Sequence, residues 1–144
     1  SRTPGDTGRV RTLPENPHAY ARMNSPVNNP SVMLRTRAVK DAGGYRDVHF
    51  MEDYDLYARL IAGGWQVRNL PEALTDFQVT DAQFSRRTGR EMFAAELQMQ
   101  RNLVAYGLTS RPRAVFNLAT RSAYRMLPTG LLKRVYAVLF HRGE

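Results

Sequence analysis

Tyr54, Tyr57, Leu60 and Ile61 recur at helical spacing in the middle of this chain, and Gly63-Gly64 follows at once. That stripe specifies a helix over roughly 53–62 with one apolar face. The glycine doublet is a usual C-terminal stop. Glu52, Asp53 and Asp55 lie in the first turn, where carboxylates favour the helix macrodipole. Thr36 to Ala42 reads as one or two further helical turns, ended by the earlier doublet Gly43-Gly44.

Around this centre the chain alternates short elements. Ser31–Arg35 is a short apolar run read as a strand, and Trp65–Leu70 and Ala73–Val79, separated by Pro71, read as two more. Arg90–Tyr106 is a long helix with Phe93, Leu97, Gln100 and Val104 on one stripe and Gly107 as its stop. Pro112 can open the next helix, which runs to about Met126 before Pro128 and Gly130 break it. Leu131–His141 reads as a last short helix. Residues 1–30 hold five of the eight prolines and show no period, so they read as a long loop or the irregular start of a fragment. There is no internal repeat and no low-complexity segment.

Composition limits the classes open to the chain. Its 144 residues fit one domain, and 42% hydrophobic residues suffice for a packed core. The absence of cysteine excludes a disulfide scaffold and a cysteine-based zinc site. The longest apolar run, Val135–Phe140, is far short of a membrane span. The chain does not begin with Met, as expected of a processed product or a fragment. The net charge of +8 is concentrated late: residues 1–96 carry 13 basic and 12 acidic residues, whereas Leu97–Gly143 carries eight basic residues and no acid. Such a bias points to an anionic partner: membrane headgroups, phosphates or nucleic acid.

The carboxylates of Glu52, Asp53 and Asp55 admit two readings. They cap and polarise a helix start, or they form a site. Flanking Phe50, Met51 and Leu56 would withdraw some of them from water, which raises a carboxyl pKa toward the range of a general base. Asp53-Tyr54-Asp55 also has the Asp-x-Asp form of metal–nucleotide sites. On a helix, however, i and i+2 point in different directions, so the pair is not read as a metal grip. His18, His49 and His141 have no metal-like spacing.

An ordered series of motifs now becomes informative: Asn29-Pro30-Ser31-Val32-Met33-Leu34-Arg35, Gly43-Gly44-Tyr45-Arg46-Asp47, Glu52-Asp53-Tyr54-Asp55-Leu56-Tyr57-Ala58-Arg59-Leu60, Gly63-Gly64 and Asn69-Leu70-Pro71-Glu72. Together, over about 29–107, they resemble the second half of family 2 inverting glycosyltransferases of the GT-A fold, above all bacterial exopolysaccharide types such as the amylovoran-biosynthesis enzymes. The resemblance implies an α+β, mostly helical chain: the C-terminal, acceptor-side half of a GT-A α/β fold, with a few short strands and a helical tail. It implies that Asp53 is the general base, that Glu52 positions the acceptor or holds the loop, and that Gly43, Gly44 and Tyr45 line the acceptor pocket. The partners would be a nucleotide-sugar donor and a saccharide or lipid-linked acceptor in cell-surface polysaccharide synthesis, at the cytoplasmic side of the membrane.

The family's N-terminal half carries the nucleotide-binding sheet and the metal motif, and nothing in this chain supplies either. A divalent metal (Mg or Mn) is therefore expected only with that half, none is expected in this chain, and the chain alone is expected to be inactive. Gln83-Phe84-Ser85-Arg86-Arg87 faintly resembles the Gln-x-x-Arg-Trp motif of processive members, with Arg87 in place of Trp. Arg86 and Arg87 either bind a diphosphate or lipid phosphate or are simply solvated. The division expected is 1–28 irregular, 29–107 acceptor-side half and 108–144 basic amphipathic tail. Residues 111–142 mix seven basic residues with Phe116, Leu131, Leu132 and Phe140, the composition of a surface helix pair for anionic membranes. The other reading is a basic helical module for membrane or nucleic acid without catalysis. Against nucleic acid, no DNA-binding motif is present, and the tail aromatics are expected to face a core. Self-association through a surface left bare by the other half is also expected.

Overall fold

The computed structural model describes residues 14–72, 75 and 90–126, with 124–126 as backbone only. Among these residues the architecture is helical: α1 (Pro17–Tyr20), a 3-10 turn (Asn29–Ser31), α2 (Thr36–Asp41), α3 (Glu52–Ala62), α4 (Arg90–Ala105) and α5 (Arg111–Met126).

Helix α3 is the centre. Every residue from Tyr54 to Ile61 is buried. One side (Met51, Tyr54, Ala58) packs with Val48 and with Met92, Met99 and Leu103 of α4. The other side (Leu56, Tyr57, Leu60) packs with Val27, Ala38 of α2, and Val32, Leu34, Trp65 and Val67. The stripe read from the sequence is therefore buried throughout, but its tyrosines serve two clusters, because chain covers the helix on both sides.

Helix ends follow the glycines. At the end of α4, the Gly107 N–H donates to Val104 O at 3.0 Å and the Leu108 N–H to Leu103 O at 3.0 Å. At the end of α3, Gly64 and Trp65 make the same pair of bonds to Ile61 O and Leu60 O. This is the Schellman arrangement, which satisfies orphan carbonyls and needs a left-handed residue at the turn. Gly107 (φ +73°) and Gly64 (φ +84°) supply it. Leu108 and Trp65 then fold back onto the clusters that hold Leu103 and Leu60.

The structure departs from the sequence reading at four places. Ser31–Arg35 and Trp65–Leu70 are not strands: among the described residues no ladder forms. Ser31 closes the 3-10 turn, and Val32 and Arg35 are extended without a strand partner. In 65–70, side chains replace the ladder. The Val67 N–H donates to His18 Nε2 at 3.2 Å, and Asn69 Nδ2 reaches Pro14 O and Pro26 O at 3.2 and 3.4 Å. His18 thus has a structural partner. Secondly, α1 is a single turn where no period was visible. Asn16 caps it through Ala19 N–H at 2.9 Å, and Pro17 fixes its first residue. Thirdly, α4 buries Met92, Ala95, Glu96, Met99, Gln100 and Leu103, while Phe93 is 49% exposed. Of the expected stripe Gln100 is buried, but the inward face turns toward Met92, Glu96, Met99 and Leu103, and Glu96 can go inside because it has polar partners. Finally, Phe116 is exposed rather than directed at a core. The strand read at Ala73–Val79 and the last helix at Leu131–His141 lie outside the described residues, apart from Thr75, which is in no strand.

Candidate active site

The approach to α3 is bent sharply. Val48 is buried, His49 and Phe50 are exposed with ring centroids 4.0 Å apart, and Met51 is buried again. Phe50 makes that reversal at φ +58°, the left-handed region that a bulky residue adopts at a cost of about 1–3 kcal/mol. Such strain gathers where surrounding structure imposes it, and here it lies just upstream of Glu52-Asp53.

Met51 occupies the N-cap position without a side-chain cap. Asp53 takes over that duty with one oxygen: Oδ1 accepts the Tyr54 N–H at 2.7 Å. The second oxygen has no hydrogen bond among the described residues, and the side chain is half-buried. Glu52 is exposed. One turn on, and on the same face as Asp53, Tyr57 donates to Asn29 Oδ1 at 2.5 Å. Burial, then the Asp53 carboxylate, then Tyr45 push the Tyr57 hydroxyl well above the usual tyrosine range. Tyr57 therefore senses both Asp53 and the tyrosine of the Gly43-Gly44-Tyr45 loop.

Asp55 points roughly 200° round the helix from Asp53. It is fully buried. Its Oδ2 accepts from Arg59 Nε at 2.8 Å, and its Oδ1 from Asn102 Nδ2 at 2.9 Å and the Tyr106 hydroxyl at 2.8 Å. Burial, followed by this bond to Asp55, raises the Tyr106 hydroxyl above its usual range. Arg59 extends the network to the backbone: its two terminal nitrogens donate to Ala42 O and to Gly44 O, the latter at 2.7 Å. One guanidinium thus ties α3 to the Gly43-Gly44-Tyr45 turn. Asp55 is a structural hub rather than a helix cap.

The structure thus brings Asp53 and Tyr57 to one face of α3 and ties Arg59 to the Gly44 carbonyl. Arg86 and Arg87 lie outside the described residues. Asn29, Tyr57, Arg59, Asn102 and Tyr106 carry roles that periodicity did not reveal. The available signal was the i, i+4 spacing of Asp55 and Arg59. Among the described residues no group of three or more His, Cys, Asp or Glu could hold a metal ion. The two aspartates of Asp53-x-Asp55 face different directions, and Asp55 has both oxygens occupied. They do not fit a shared ion. Among the described residues no helix is long and apolar enough to cross a membrane.

Comparison with known proteins places the chain beside the glycosyltransferases. It is 32% identical over 123 residues to an uncharacterized glycosyltransferase of Haemophilus influenzae, covering 85% of this chain and 45% of that protein. It is 30% identical over 131 residues to the amylovoran biosynthesis glycosyltransferase of Erwinia amylovora, covering 89% and 49%. It is 27% identical over 141 residues to the Escherichia coli UDP-Gal:alpha-D-GlcNAc-diphosphoundecaprenol beta-1,3-galactosyltransferase, covering 96% and 51%. The chain spans about half the length of the curated relatives it matches. These similarities bear out the resemblance carried by the ordered motifs. No family model matches, and no solved structure matches.

Proposed function

We propose that this chain is the acceptor-side, C-terminal half of an inverting, nucleotide-sugar-dependent glycosyltransferase of GT-A type, with Asp53 as general base. The observation that carries the reading is the state of Asp53: half-buried, held by one oxygen at the helix start, with the other oxygen unengaged among the described residues. A carboxylate so held can take the proton of an acceptor hydroxyl. The acceptor oxygen then attacks the anomeric carbon from the face opposite the leaving group. The bond to the nucleoside diphosphate breaks and its electron pair leaves with the diphosphate. Glu52 positions the acceptor, the Gly43-Gly44-Tyr45 turn lines its pocket, and Arg86 and Arg87 meet phosphate.

The acceptor class follows from the relative whose name specifies a sugar–diphosphoundecaprenol acceptor. A lipid-linked saccharide at the cytoplasmic face of the membrane suits that chemistry, and polysaccharide synthesis suits the amylovoran relative. On this reading the nucleotide is bound by the other half of the enzyme. That half also brings the divalent metal, Mg or Mn, and self-association would be a property of the acceptor half alone. The test is transfer from a nucleotide-sugar to a diphospholipid-linked sugar by a form of the protein as long as its relatives. Asp53→Asn is expected to lower kcat by about 10²–10⁴-fold, and Glu52→Gln by less. Undiminished turnover by Asp53→Asn would remove Asp53 from the role. Titration calorimetry of this chain with common nucleotide-sugars is the companion measurement, and micromolar binding would overturn the half-site reading.

A further inference from the structure

Helix α5 lies with its polar edge inward. Ala114, Asn117 and Arg121, at i, i+3 and i+7, face α4 and the backbone of 22–23. Asn117 is 3% exposed and donates to Arg22 O at 3.0 Å and Gln100 Oε1 at 3.3 Å. Arg121 meets Glu96 at 2.7 Å and donates to Met23 O at 2.8 Å. The apolar positions Pro112, Val115, Phe116, Ala119 and Ala123 fall at i, i+3, i+4, i+7 and i+11, and all are exposed. Val115 is 67% and Phe116 58% exposed. A helix on a globular core buries its apolar stripe and shows its polar one; α5 does the reverse. Exposed Arg111 and Arg113 border the stripe, and the Arg113 guanidinium sits 5.6 Å from the centre of the Phe116 ring.

We propose that this stripe is the surface by which the protein docks on an anionic phospholipid membrane, Val115 and Phe116 entering the interface while Arg111 and Arg113 meet lipid phosphates. Charge selects this occupant. A second copy of the chain would bring the same arginines against themselves. Residues 127–143 of the chain carry Lys133, Arg134 and Arg142 with no acid, so they too would oppose like charge. A bilayer surface offers an apolar layer beneath a negative one, matching a stripe with a basic border. The expectation for the whole of 111–142 is thereby narrowed to one face of α5, and Arg121 is excluded because it points inward to Glu96. The inference does not depend on the sugar-transfer reading, and Asp53→Asn should leave docking unchanged.

The test is flotation of the protein with vesicles of phosphatidylcholine alone and of phosphatidylcholine with about one-third phosphatidylglycerol, at low and high salt. Binding is expected to the anionic vesicles only and to weaken with salt. Phe116→Ser with Val115→Ser should lower partitioning about tenfold or more, with helical circular dichroism unchanged because both positions are exposed. Arg113→Gln should weaken binding more than Lys40→Gln, the same charge loss on exposed α2. Equal binding to neutral vesicles, or wild-type binding by the serine variant, would overturn the proposal. So would self-association in sedimentation that disappears with Phe116→Ser. Loss of binding in a form as long as the relatives would make the stripe an internal contact and equally overturn it.

Discussion

Asp55 and Asp53 are two residues apart and differ in almost everything physical. Asp55 has no exposure and accepts hydrogen bonds from Arg59, Asn102 and Tyr106. Removing one member of such a buried pair strands the other, at about 3–5 kcal/mol. Asp55→Ala and Arg59→Leu should each lower unfolding stability in urea by that amount, and the double variant should lose less than their sum. Asp53→Asn forfeits only a charge at a helix start, about 0.3–1 kcal/mol. A stability gap of that size would separate the scaffold aspartate from the candidate base; similar losses for both would merge them. The sequence shows three acids at a helix start and cannot say which is buried, because burial depends on Asn102 and Tyr106 arriving from 47 and 51 positions away. The candidacy of Asp53 came from the ordered motifs around it. The roles of Tyr57 and Asn29 were not legible, since their bond joins positions 28 apart.

Helix limits were the most legible elements, because glycines mark them chemically. Gly107 closes α4 at φ +73° with nothing within 4 Å of a Cβ added there. Gly107→Ala should therefore cost about 1–2 kcal/mol of backbone strain alone, measured as a lower urea midpoint, and Gly107→Asn less, since Asn tolerates that conformation. Equal midpoints for wild type and the alanine variant would contradict the strain account. Helix faces were less legible than helix ends. In α4 Phe93, Leu97, Gln100 and Val104 suggested one face; Gln100 is buried, but Phe93 is exposed and Glu96 goes inside, where Arg121 of α5 meets it while Asn117 meets Gln100. Hydrophobic periodicity cannot register a polar seam between two helices. Nor could it see that 31–35 and 65–70 form no ladder among the described residues, since strand propensity describes a side-chain pattern and pairing requires a neighbour.

Over the whole molecule, ionisation of tyrosine sets an alkaline limit. Burial, chiefly, raises the hydroxyls of Tyr54, Tyr57 and Tyr106 above the ordinary value of 10.0. A group whose folded pKa is raised gives stability that is complete below its unfolded pKa and is lost as pH climbs through the folded one. Unfolded tyrosine ionises near 10, so stability should hold to about that pH and then fall steadily. Urea midpoints from pH 8 to 11 check this, and Tyr54→Phe should flatten the decline while costing about 1–3 kcal/mol at neutral pH through the lost bond to Ala21 O. A midpoint that does not move between pH 9 and 11 would refute it.

That bond is one of three alike. Tyr54, Asn117 and Arg121 donate in turn to the main-chain oxygens of Ala21, Arg22 and Met23. The grip falls on peptide groups, which every amino acid offers, and not on the side chains of Arg22 and Met23, which are exposed. Mutational freedom is therefore lopsided across this contact. Positions 22 and 23 can drift among most residues that keep the local turn, whereas the three donors, scattered over nearly 70 residues of chain, must be inherited together.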